Sequence, residues 1–85
     1  MSKFDYLRSL VAELEDVLPR SKMSQDKRRW ADSSLSLAKN FLKTIDGMPS
    51  DYKPTEFVLY EAEGLEERVE RSVTQARNAM DNPGD

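Results

Sequence analysis

The chain contains neither cysteine nor histidine, and the double absence removes more chemistry than any other feature of its composition. Without thiols there are no disulfides, no cysteine nucleophile and no thiolate metal site; without imidazole, the usual zinc, haem and acid–base groups are missing as well. Glycine is sparse, and the three residues stand apart at 47, 64 and 84, so no glycine-rich loop is available to cradle a phosphate. No apolar run approaches the ~20 residues needed to span a bilayer. The first residues, Met1 to Tyr6, also lack the long apolar stretch of a secretory signal, so the expected compartment is the cytoplasm.

What remains is 85 residues with 38% apolar and 34% charged side chains, net charge −3 and a mean hydropathy of −0.75. Those proportions suit one small helical domain, 1–85, with a thin core and wide solvated faces. A core this thin makes homo-oligomerisation attractive, because stripes left open in one chain can be covered by another.

Hydrophobic periodicity predicts an all-α fold of three helices. Phe4, Leu7, Val11, Leu14 and Leu18 recur at helical steps, widened by Leu10 and Val17, and give a first helix over about 3–18. Ser2 is its candidate cap and Pro19 its stop. A second helix, about 25–46, follows a polar connection and ends at Gly47; Trp30, Leu37, Phe41 and Ile45 are its expected core face, with Leu35, Ala38 and Leu42 beside it. Met48 to Lys53 is a turn, and Pro54 is placed early in a third helix, about 54–81, followed by a frayed tail at 82–85. In that helix Val58, Ala62, Leu65, Val69, Val73, Ala76 and Met80 form a near-heptad stripe. The second and third helices should fold as a long antiparallel hairpin, with the first laid across or along it. Gly64 interrupts the third helix at a cost of roughly 1 kcal/mol, tolerable where a neighbour approaches closely.

Charge is unevenly placed. Residues 20–29 carry five cations, Arg20, Lys22, Lys27, Arg28 and Arg29, against Asp26. Cations in the first turn of a helix oppose its dipole, and such a penalty can mark a site for a phosphate, a nucleotide, a nucleic acid or an acidic protein surface. Against a nucleic-acid groove, Lys27, Arg28 and Arg29 are consecutive and fan around the helix. The same cluster has a structural reading, because a hairpin closed at 47–53 brings positions near 29 opposite Glu66, Glu67 and Glu70, where ion pairs would fix the register. Tyr52 and Tyr60 are candidate contacts for a partner or a base, Tyr52 alternatively serving as a lid packed with Met48 and Phe57. Trp30, at helical spacing from Leu37 and Phe41, is expected in the core.

The acidic run Glu56 to Glu70 reads as a solvated helix face. Di-metal bundles need Glu-x-x-His, and calcium loops need close-spaced Asp or Asn about a glycine turn; neither is present. Serines have no base in reach of any recognisable spacing. No enzyme activity, cofactor or metal is therefore expected. The function anticipated is that of a helical binding, adaptor or inhibitor protein acting by protein–protein contact. Bacterial regulators and phage accessory proteins are often of this size and class, which is an analogy of class alone. The alternatives are a phosphate-bearing ligand held between subunits by Arg28, Arg29 and tyrosines, and nucleic-acid binding through 20–30.

Overall fold

The computed structural model describes residues 4–81, and every regular element among them is helical. Helix α1 spans Asp5–Val17, a 3-10 turn covers Leu18–Arg20, α2 spans Gln25–Asp46 and α3 spans Glu56–Asp81. The all-α, three-helix expectation holds, and each boundary has a local cause. Pro19, with no N–H to donate, sits within the 3-10 turn and tightens the end of α1, so that Leu18 leaves the α-helix. Ser24 caps α2, its Oγ accepting from the Lys27 amide at 3.4 Å. The α2 stop at Gly47 needs no left-handed conformation: its φ is −82°, and its amide bonds back to the carbonyls of Lys43 and Thr44.

Helix α3 starts two residues later than Pro54 suggested. Thr55 is the cap, its Oγ1 accepting from the Val58 amide at 3.2 Å, and Pro54 lies outside the helix. The expected Ser2 cap and the 82–85 tail fall outside the described residues. Phe4 occupies the position before α1 with φ 61° and ψ 40°, a left-handed conformation costing about 1–2 kcal/mol for a non-glycine residue. Its ring is held there by an edge-on contact with Phe41, centroids 5.2 Å apart.

Helices α2 and α3 form the antiparallel hairpin, and α1 lies along it, packed most closely on α3. Ion pairs give its direction: Arg8 meets Asp46 and Glu15 meets Lys39, so α1 runs against α2, while Glu13 meets Arg77 of α3. The Lys22 amide donates to the Ala79 carbonyl at 3.0 Å, pinning the α1–α2 connection to the far end of α3.

The core is built unequally. From α1 come large side chains, Leu7, Leu10, Val11, Leu14 and Val17; from the hairpin come mostly small ones, Ala31, Ser34 and Ala38 on α2 and Ala62, Ser72, Ala76 and Ala79 on α3. Small residues let helix backbones approach, and α1's leucines then fill the groove above them. Of the large residues of α2, Leu42 and Ile45 stay buried and Leu35 and Phe41 pack against the core, while two are displaced. Leu37 is 45% exposed, and Trp30 is half-buried and not packed on the core cluster, correcting the expectation that both belong to it. No helix among the described residues is long and apolar enough to cross a membrane.

Candidate functional site

Helix α2 carries two stripes. Ala31, Ser34, Ala38, Leu42 and Ile45 face the core; Trp30, Leu37, Phe41, Thr44 and Met48 recur at steps of seven, four, three and four about a quarter turn away. The second stripe borders a groove of about 330 Å³ near the loop end of the hairpin. Its walls are Leu37, Phe41, Ile45 and Met48 from α2 and its end, Tyr52 from the turn, and Val58 and Leu65 from α3; Asn40, Thr44 and Glu61 stand at its edges. Glu61 is its one charged lining residue.

The groove opens away from α1. Lys39 and Asp46, which reach α1, each stand two residues beyond Leu37 and Thr44, close to the opposite side of a helix with about 100° per residue. One face of the hairpin is thus covered by α1 and the other is bare. Of the groove's lining, Leu37 and Met48 remain 45% and 38% exposed, and Phe57 on α3 is 76% exposed. Phe57 and Gly64 share the side of α3 that carries Glu61, at i−4 and i+3 from it. A Cβ added at Gly64 would meet nothing within 4 Å, so within one chain no neighbour makes the close approach that a glycine in mid-helix permits.

At the other end of the same face, Trp30 sits in a shallow recess with Asp26, Lys27, Arg71 and Gln75. The guanidinium carbons of Arg68 and Arg71 lie 4.9 and 5.9 Å from its ring centre, cation–π distances for both. Arg68 Nε also donates to Ser34 Oγ at 3.0 Å.

The five cations of 20–29 do not form one site. Arg20 turns back to Asp16, at 2.8 Å. Arg28, half-buried, donates to the carbonyls of Leu18 at 3.0 Å and Ser21 at 2.6 Å, tying the α1–α2 connection to the start of α2. Lys22 and Arg29 are exposed, and Lys27 lines the Trp30 recess. The ion pairs anticipated from this cluster to Glu66, Glu67 and Glu70 are not formed among the described residues; the pairs between helices join α1 to the hairpin instead. Tyr52 and Met48 both line the groove, whereas Phe57, the third member expected of a lid, is exposed and outside that lining. Tyr60 lies in a separate recess with Glu63, Gly64 and Glu67, so the two candidate tyrosines do not converge.

Acidic side chains crowd one another on α3. Partial burial, with Glu70 and Glu63 nearby, holds the Glu66 carboxyl above its ordinary value. A hydrogen bond to Glu70 raises the Tyr6 hydroxyl. Asp46 is lowered by its hydrogen bond from Arg8. No group of three or more metal-ligating side chains comes together among the described residues.

Sequence pattern could have found the bare face. The seven-residue spacing of Trp30, Leu37 and Thr44, interleaved with Phe41 and Met48, is a helix-packing seam, but nothing in the spacing says whether the seam meets a helix of the same chain. No protein-family model matches the chain, and no curated protein and no solved structure matches it either.

Proposed function

We propose that this chain is a non-enzymatic helical binding protein, an adaptor or inhibitor, that works in the cytoplasm by protein–protein contact through the bare face of its hairpin. One observation carries this reading: Leu37 and Met48 stand exposed in the lining of an apolar groove on a face that α1 leaves uncovered, and Phe57 is exposed on the side of α3 that carries the groove's Glu61. Exposed apolar groove surface on a small domain is costly to keep in water and marks interaction sites. Absence of histidine and cysteine from the sequence supports contact over covalent chemistry. The dispersal of the basic cluster favours a protein partner over a phosphate-bearing ligand or nucleic acid, since Arg20 and Arg28 are engaged within the chain.

The test is a photo-crosslinking residue placed at Leu37 and, as a control on the α1-covered side, at Lys39. Irradiation of the purified chain, and of the chain in host extract, should yield protein adducts from position 37 and few from 39. Adducts equally abundant from both positions, or from neither, would overturn this assignment of the face.

A further inference from the structure

The bare face carries the two halves of its own complement, and we infer that its occupant is a second copy of this chain, packed antiparallel on a two-fold axis that crosses the hairpin at Leu37 and Gly64. This deepens the contact reading above and rests on it.

Three observations converge on that axis. Along α2, Trp30 and Thr44 are each seven residues from Leu37, about 10.5 Å at 1.5 Å per residue. A rotation about an axis lying across both helices at this level lays α2 over α2 and α3 over α3, each reversed. It delivers the Trp30 ring of one copy, which lies off its own core cluster, to the Phe41–Met48 wall of the other copy's groove.

Along α3, Glu61 and Arg68 stand symmetrically about the Gly64–Leu65 step, so the same rotation sets the groove's one lining carboxylate opposite a guanidinium at the Trp30 end. Charge is polarised along the face in the sense this requires: Glu61 borders the groove, while around Trp30 the cations Lys27, Arg68 and Arg71 outnumber Asp26. An isologous contact needs such self-complementarity, feature to counter-feature in both directions. Gly64 falls at the crossing point, where it would allow the closest approach of the two α3 backbones, and space for that approach is open.

The size of the face also fits. A helix of 22 residues is about 33 Å long, and two packed helices present a face about 20 Å wide, giving roughly 650 Å² per copy, near the ~800 Å² per partner of a standard interface. Leu37 then packs on its symmetry mate, and the two hairpins form a four-helix layer with one α1 on each outer side.

The experiment uses the full chain, whose lack of cysteine makes single introduced thiols clean reporters. Sedimentation equilibrium should give twice the 9.8 kDa chain mass. Trp30, the single tryptophan, should shift its emission to the blue on association and return on dilution. Under mild oxidation Leu37→Cys should crosslink into a covalent dimer, because the axis places two copies of position 37 together. Met48→Cys, eleven residues or about 16 Å from the axis, should not. Glu61→Arg and Arg68→Glu should each weaken association at least tenfold, and the double exchange should recover most of it; circular dichroism on every variant separates lost association from lost folding.

A monomer at all concentrations overturns the second copy; if the photo-crosslinker at position 37 still captures another protein, the contact reading survives, and if it captures nothing both fall. A dimer that crosslinks through Met48→Cys and not Leu37→Cys overturns the antiparallel register.

Discussion

Replacing Arg28 by methionine separates a structural cation from its decorative neighbour. Its guanidinium makes two hydrogen bonds, to the carbonyls of Leu18, which also accepts from the Ser21 amide, and of Ser21 in the extended residues that follow the 3-10 turn. A hydrogen bond from a charged donor contributes about 1.5–3 kcal/mol. Arg28 is half-buried, so water can partly replace it, and the pair together is worth about 2 kcal/mol. A chain of this length is stable by about 4–13 kcal/mol in total, so the loss is large. At roughly 4–8 °C per kcal/mol, Arg28→Met should melt about 8–16 °C below the parent. Arg29→Met, at an exposed position, should stay within about 0.5 kcal/mol. Arg28→Lys should fall between, because an ammonium lacks the fork that reaches both carbonyls. Urea titration followed at 222 nm measures all three. If Arg28→Met and Arg29→Met unfold at the same urea concentration, the reasoning that Arg28 ties the α1–α2 connection is wrong.

Further expectations follow from burial and charge. Leu14 is fully buried where α1 meets the hairpin, and Leu14→Ala should cost about 2–5 kcal/mol, read by the same titration. Ser72 Oγ is buried without a hydrogen-bond partner, so Ser72→Ala should be neutral or stabilising by up to about 1 kcal/mol; a loss beyond 1 kcal/mol would mean the hydroxyl has a partner. Gly64→Ala should stabilise the dilute monomer by about 0.5–1 kcal/mol, since the added methyl meets nothing, and thermal melts at low concentration check it. The Asp46 carboxyl lies below its ordinary value in the fold because Arg8 donates to it. Its contribution is therefore present above the unfolded carboxyl pKa and lost as pH falls through the folded one; Asp46→Asn should flatten the acid limb of a stability–pH profile. Glu66, raised by burial and its acidic neighbours, acts in the opposite sense, disfavouring the fold once ionised, so Glu66→Gln should stabilise at neutral pH.

Helix content, the three-segment order and the inward face of α1 were legible because helical periodicity is a local property, and Leu7, Leu10, Val11, Leu14 and Val17 have no rival stripe on their helix. The near-heptad run of α3 was legible for the same reason, with Ala62, Val69, Val73 and Ala76 buried as the spacing predicts. The first turn of α3 was misplaced because Pro54 and Thr55 both signal a helix start, and only the Thr55 hydroxyl bonds to an α3 amide. Tyr60, Lys22 and Arg29 were recognisable as surface groups without any indication of what they adjoin.

What the sequence alone determined is which residues share a helical face, because that depends only on the pitch of one helix. Which face of α2 turns inward was decided by the tertiary structure. Both of its stripes recur at helical spacing, and size in isolation favoured Trp30, Leu37 and Phe41. Packing between helices rewards close backbone approach, so the stripe that opens with Ala31, Ser34 and Ala38 and continues to Leu42 and Ile45 took the interior once α1 supplied the leucines. Trp30 and Leu37 were left off the core while Phe41 still packs against it, and the groove, the unfilled approach at Gly64 and the bare face all follow from that choice.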